Sequence, residues 1–213
     1  MEHRTISLAE QVFDRLENEI LSGNYQRGEI LTEMTLVSDL GVSRTPIREA
    51  LHRLEQEHII ENTQKGFLVL GVTQQDLMDI FEIRSRIEGI ASRMAAERIT
   101  EEQIAELRET LELQEFYVPR HDADHIKFYD SRFHQLIYRF CGSSVFYDTL
   151  VPLHKKVQKY RKTSVENESR AQQSASEHRA IFEAIAAHDA AQAEQYTVEH
   201  IKNAANHILK RGN

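Results

Sequence analysis

Residues 41–54, Gly41-Val42-Ser43-Arg44-Thr45-Pro46-Ile47-Arg48-Glu49-Ala50-Leu51-His52-Arg53-Leu54, encode a turn and then an amphipathic helix. Gly41 can take the positive φ that closes a preceding helix, and Ser43 or Thr45 can cap the next one. Pro46 falls in the first turn, where a missing N–H costs nothing. Ile47, Ala50, Leu51 and Leu54 recur at helical spacing and are expected to face a core. Ser43, Arg44, Thr45 and Arg48 are left at the exposed N-terminal end. Short hydroxyls suit phosphate oxygens, and a guanidinium can grip the O6 and N7 of guanine with two hydrogen bonds. Taken alone, these fourteen residues also fit a capped helix with a solvated polar face, as the lesser reading.

The flanks favour the first reading. Upstream, Ile30-Leu31-Thr32 leads into Glu33 to Leu40, where Met34, Leu36, Val37 and Leu40 support a short helix. Downstream, Ile59 to Thr63 and Phe67 to Leu70 are β-rich runs joined by Gln64-Lys65-Gly66, a hairpin with glycine in its tip. That hairpin sits where a wing belongs, with Lys65 able to reach a phosphate or a minor groove. A further amphipathic helix, Leu8 to Leu21, opens with Ser7-x-x-Glu10 as a capping box.

On these residues the chain resembles the GntR family of bacterial transcription regulators, in the FadR-like branch whose effector domain is an all-helical FCD domain. Gly28-x-Ile30-Leu31, the run Leu40 to Leu51 and Gly66 match the family's winged-helix pattern. The resemblance implies DNA contacts at Ser43, Arg44, Thr45, Arg48 and Gly66. One position departs from it, because Met34 stands where the family usually places an arginine. The preferred operator therefore differs, or that contact is lost.

Charge limits this picture without overturning it. The 213 residues carry a formal net charge of −8, of which −5 falls in residues 1–70 and −3 in the remainder. A non-specific nucleic-acid coat needs a basic domain, which this chain lacks. A specific reader needs only local charge, here Arg44, Arg48, Arg53 and Lys65. Weak non-specific binding and a steep loss of affinity with salt follow. There is no twenty-residue apolar run and no secretory h-region, so a soluble, cytoplasmic protein with no membrane partner is expected. Cys141, the single cysteine, excludes an internal disulfide and reads as a small buried residue.

Gly71-Val72-Thr73 reads as a linker, which gives a winged helix-turn-helix domain over residues 1–72 and an all-helical effector-binding and dimerisation domain over 73–213. The fold class is mainly α. Six helical segments are expected in the second domain, at 74–98, 101–117, 121–140, 143–164, 168–187 and 190–210, forming an antiparallel bundle that can hold a site between facing helices. Six helices resemble the VanR-type subgroup.

Eleven histidines carry the bundle's chemistry. Asp130 and His134, at i and i+4, share a helix face about 6 Å apart at the backbone. Ile126 and Ile137 lie about one turn to either side, so the pair points inward. His178 and His200 are each flanked at helical spacing by core-type residues. One carboxylate and three imidazoles are ligands for a divalent transition metal. By residues alone, separate buried histidines are the competing reading. The resemblance to FCD domains implies the metal site: Asp130-x3-His134 on one helix, with His178 and His200 on two later ones. Zinc is the foremost candidate, with nickel, iron or manganese as alternatives. His121 and His125 form another i, i+4 pair, but polar neighbours mark them as a solvated helix start.

In this family the metal cavity looks like the docking place of a small carboxylate effector. Arg84 interrupts the apolar stripe Ile80, Ile87, Ala91, and so either points inward to grip that carboxylate or pairs with Glu88 one turn on. Two functions follow. The first is a homodimeric regulator, a repressor, whose affinity for double-stranded operator DNA responds to the carboxylate. The second is a metal-dependent hydrolase or lyase with an accessory N-terminal module. An enzyme needs an acid or base beside the metal, and Glu177 and Glu199, each next to a ligand histidine, point about 100° away from it.

Overall fold

The computed structural model describes residues 7–157 and 168–209, and the chain divides at Thr73/Gln74 into two compact units. The protein is mostly helical, with one small antiparallel sheet in the first unit.

In the first unit, Ser7 caps α1 (Leu8–Ser22) by accepting from the Glu10 amide. The side chain of Glu10 turns to Arg53 at 3.8 Å. Helix α2 (Glu33–Leu40) begins at Thr32, whose hydroxyl caps it, and ends at Gly41, whose φ of 66° lets its amide close on the Val37 carbonyl. After Val42 and Ser43, α3 (Arg44–Gln56) starts. Ser43 takes the N-cap position without forming a side-chain capping bond, so the expected hydroxyl cap is absent. Ile47, Ala50, Leu51 and Leu54 are fully buried against Val12, Phe13 and Leu16 of α1 and Leu36 of α2. At about 1.5–3 kcal/mol per buried aliphatic side chain, this shared core orients α3.

The sheet has a strand that the sequence pattern did not announce. Ile30–Leu31 (β1) joins β2 (Ile60–Thr63) and β3 (Gly66–Val69) in the order β1-β3-β2. Ile30 pairs with Leu68 and Leu31 with Phe67. Two residues, too few to show alternation, become a strand because the edge of β3 is there to pair with.

The second unit contains α4 (Gln74–Arg98), α5 (Glu101–Tyr117), α6 (Ala123–Phe140), α7 (Ser144–Lys156), α8 (Glu168–Ala186) and α9 (Ala190–Leu209). Thr100 and Gln103 complete a reciprocal capping box on α5. The third segment begins at Ala123 rather than 121, because Val118–Arg120 forms a single 3-10 turn around Pro119 and His121 adopts φ 54°. Of the expected fourth segment, residues 158–164 lie outside the described residues, as does residue 210 of the last. Helix α4 runs antiparallel to α9, with Arg93 on Glu194 and Ser92 bonded to Thr197. A core of Leu107, Leu111, Phe133, Ile137, Ile181 and Ile185 holds the bundle around one polar centre. Cys141 is buried, its thiol donating to the Tyr138 carbonyl.

Candidate metal centre and recognition surface

Helices α6, α8 and α9 each bring one histidine into the interior of the second unit. The apolar residues around His134, His178 and His200 dictate which way those helix faces turn, and the rings are 2%, 0% and 3% exposed. Their Nε2 atoms converge: His178 lies 3.2 Å from His200, and His200 lies 3.3 Å from His134. Each Nδ1 points outward to a separate acceptor. His134 Nδ1 meets Glu88 Oε2 at 3.1 Å, His178 Nδ1 meets Gln114 Oε1 at 2.8 Å, and His200 Nδ1 meets Glu177 Oε2 at 2.7 Å.

This arrangement fixes the chemistry of the cluster. A carboxylate accepts only, so Glu88 and Glu177 hold the protons of His134 and His200 on Nδ1. In neutral rings the Nε2 lone pairs then face one another across 3.3 Å, which is unfavourable unless a cation lies between them. Two ligands about 2.1 Å from one ion at a tetrahedral angle stand roughly 3.4 Å apart, so the spacing fits a bound divalent metal. Outward Nδ1–H groups held by carboxylate or amide oxygens are also how metal-bound imidazoles are oriented. The three histidines can therefore hold a metal ion.

Asp130 is buried beside them on α6. Its Oδ1 is 3.8 Å from His178 Nε2 and accepts from the Ser174 hydroxyl at 3.4 Å. The tight cluster thus comprises three of the four residues singled out in the sequence, with the fourth at its border. Burial depresses His200, against the pull of Glu177, to a pKa of about 4, which keeps the ring neutral and ready to ligate at neutral pH.

Behind His134 lies a second buried layer. Arg84, 2% exposed, donates its Nε–H to Glu88, so the arginine points inward and also has the one-turn partner considered for it. Burial alone would raise the Glu88 carboxyl, but Arg84, His134 and His154 together hold it well below the usual range. His154, pushed well down by burial and by Arg84, receives Arg84 Nη2 and the Tyr138 hydroxyl at its Nδ1, each at 3.4 Å. A cavity of about 30 Å³ opens beside the cluster, lined by Arg84, Asp130, His134, Arg170, Ser174 and His200. That is room for a very few water-sized groups.

Sequence reasoning missed Arg170, Gln114 and the work of Glu177. Arg170, Ser174 and His178 recur at i, i+4 and i+8, a polar stripe on the ligand face that could have flagged the arginine. Gln114 continues the buried line of Leu107 and Leu111. Glu177 does point away from the site's own helix neighbour, as expected; it crosses to α9 and holds His200. His121 and His125 are exposed, with Asp122 capping α6 and bonding the His125 ring at 2.7 Å.

In the first unit Ser43, Arg44, Thr45 and Arg48 are all exposed at the start of α3, and Lys65 is exposed at the hairpin turn. Arg48 donates Nε–H to both oxygens of Glu33, at 2.8 and 3.0 Å. Gly66 has a structural reason to be glycine: at φ 130° an added Cβ would stand 2.6 Å from the Leu31 carbonyl oxygen. Met34, in the first turn of α2, is 72% exposed.

A winged helix-turn-helix followed by an all-helical unit is the architecture of a DNA-binding transcription regulator. Residues 8–69 match the model of bacterial regulatory proteins of the gntR family, and residues 79–203 match that of the FCD domain. The chain belongs to the GntR family of bacterial transcription regulators, in its FCD-domain branch. The transcriptional repressor RspR of Escherichia coli K12 is 26% identical over 200 residues, spanning 93% of this chain and 88% of RspR. The gluconate operon transcriptional repressor of Bacillus subtilis 168 is 33% identical over 124 residues, 58% of this chain and 51% of the repressor. Among solved structures, E. coli McbR/YncC superposes with a TM-score of 0.84 at 24% identity, covering 98% of this chain and 100% of that one. At that identity the likeness is one of fold. These relatives are transcription regulators and not enzymes. Among the described residues no helix is long and apolar enough to cross a membrane.

Proposed function

We propose that this regulator is a homodimeric repressor whose hold on operator DNA is set by a small carboxylate bound at a divalent metal in the helical unit. The observation that carries the proposal is the convergence of three imidazole Nε2 atoms whose Nδ1 sides are each tied to an acceptor. His134, His178 and His200 hold the ion, zinc foremost, with Asp130 as the adjoining carboxylate. A divalent ion held there would supply a positive centre beside the cavity that His134, His200 and Asp130 line.

The fixed charges around the cavity describe its ligand. Arg84 is balanced by Glu88 and Arg170 by Glu177. A divalent ion beside Asp130 leaves one positive charge over, which one carboxylate neutralises. Arg84 and Arg170 line the cavity and present N–H groups to that carboxylate. Its small volume favours compact monocarboxylates. Operator contact falls to Ser43, Arg44, Thr45 and Arg48 on α3, with Lys65 and Gly66 on the wing. Two such heads in a dimer read half-sites about one helical turn apart. An effector that weakens operator binding must itself bind less tightly to the DNA-bound protein. The enzyme reading loses its candidate base, since Glu177 is spent on the Nδ1 side of His200.

The test is operator affinity measured with metal-replete and chelator-treated protein across a series of two- to four-carbon carboxylates. At least one carboxylate is expected to shift the operator Kd tenfold or more in the metal-replete protein, and not in the chelated protein or in Arg84→Ala. Arg44→Ala is expected to abolish operator binding in a folded protein. Operator affinity indifferent to both chelation and carboxylates would overturn the proposal.

A further inference from the structure

The Arg48–Glu33 pair is an unusual use of a DNA-facing residue. Glu33 is the first residue of α2, where the helix N-terminus favours a carboxylate and the Thr32 cap fixes the turn. Both of its oxygens accept from Arg48 Nε, across fifteen residues of sequence, while the Arg48 side chain stays 64% exposed and Glu33 only 27%. A carboxylate on a surface that meets phosphates repels them, so Glu33 costs affinity for any DNA. An exposed ion pair contributes little to folding, so stability does not explain it either.

What the contact does is orient. A guanidinium offers five N–H groups on a rigid fork, and Glu33 occupies the inner, Nε side. The outer edge, Nη1 and Nη2, is the edge that can bridge guanine O6 and N7. A long side chain already held in one pose loses less conformational freedom on binding and has fewer poses in which to satisfy a wrong base.

We propose that Glu33 is a specificity-determining positioning residue: it clamps Arg48 so that only the outer guanidinium edge meets DNA, making Arg48 a reader of a single guanine. The inference rests on the assignment of α3 as the recognition helix.

The test uses full-length, metal-replete protein and operators selected from random DNA. Comparing wild type with Arg48→Ala locates the base pair whose identity depends on Arg48. At that pair wild type should discriminate guanine from adenine by roughly five- to hundredfold, the range of one bidentate contact. Glu33→Ala is expected to cut that ratio at least threefold, to leave ratios at other positions unchanged, and to bind unrelated DNA more tightly. In an Arg48→Ala background, Glu33→Ala should have no effect on the ratio. An unchanged ratio in Glu33→Ala, with Arg48→Ala still altering it, overturns the clamp alone. A ratio that Glu33→Ala alters even without Arg48 makes Glu33 a base reader in its own right and also overturns the clamp. No effect of Arg48→Ala at any position overturns both the clamp and the recognition-helix assignment.

Discussion

Two of the molecule's arginine–glutamate pairs stand in opposite environments. Arg48 and Glu33 stand at the surface of the winged unit, whereas Arg84 and Glu88 are 3% and 1% exposed in the helical unit. Water screens the outer pair, so it adds little to folding and what it controls is the pose of a side chain waiting for a partner. The inner pair has no water to fall back on, so its members must satisfy one another and whatever else they touch. Glu88 meets that demand by accepting from Arg84 at one oxygen and from His134 at the other. The outer pair thus holds the pose of an exposed guanidinium, as proposed for Arg48, and the inner one fixes the tautomer of His134. The lesson is that burial, more than residue identity, decides what a charge pair is for.

The comparison breaks if both pairs cost the fold alike. Glu88→Ala strands Arg84 in the core, and unfolding of the metal-free protein in urea is expected to show a loss of about 3–5 kcal/mol. Next in size, Glu177→Gln keeps the shape but weakens the grip on the His200 Nδ1 proton. Competition against a chromophoric chelator should show metal affinity falling roughly 10- to 100-fold; an unchanged affinity separates Glu177 from the centre.

A further effect is expected from pH. The His200 ring is pushed from its ordinary value near 6.5 down to about 4 by burial, and His154 is depressed in the same direction. The unfolded chain therefore takes up those protons first, and stability present above pH 6.5 is lost as pH falls through about 4. Hydrogen exchange resolved by peptide should show the metal-free helical unit loosening over that window. Smallest of all, Glu33→Ala should leave thermal unfolding unmoved; a clear loss would show the outer pair to be structural.

Much of this was legible in the sequence, and the reasons differ by region. The start of α3 could be read because turn and core periodicity are local: Gly41, Pro46 and the line Ile47 to Leu54 settle the helix among themselves, even though the expected Ser43 hydroxyl cap does not form. His134, His178 and His200 stood out because polar residues interrupted apolar helical stripes. Their acceptors were harder, since Glu88, Gln114 and Glu177 sit on other helices and nothing in linear spacing says which faces meet. Strand β1 was hidden for a similar reason, as two residues become a strand only through the edge of β3. Arg48 was visible as a candidate DNA contact, but its pairing with Glu33, fifteen residues upstream, required the packing of α2 on α3.

The central claim, that the three histidines form a metal centre, is most directly tested by elemental analysis with X-ray absorption on full-length protein purified without chelator. The account predicts one divalent ion per chain, with nitrogen ligands at about 2.0–2.1 Å, and its loss in the double variant His134→Ala, His178→Ala. Protein that carries no metal, or an ion that survives removal of both histidines, would contradict it.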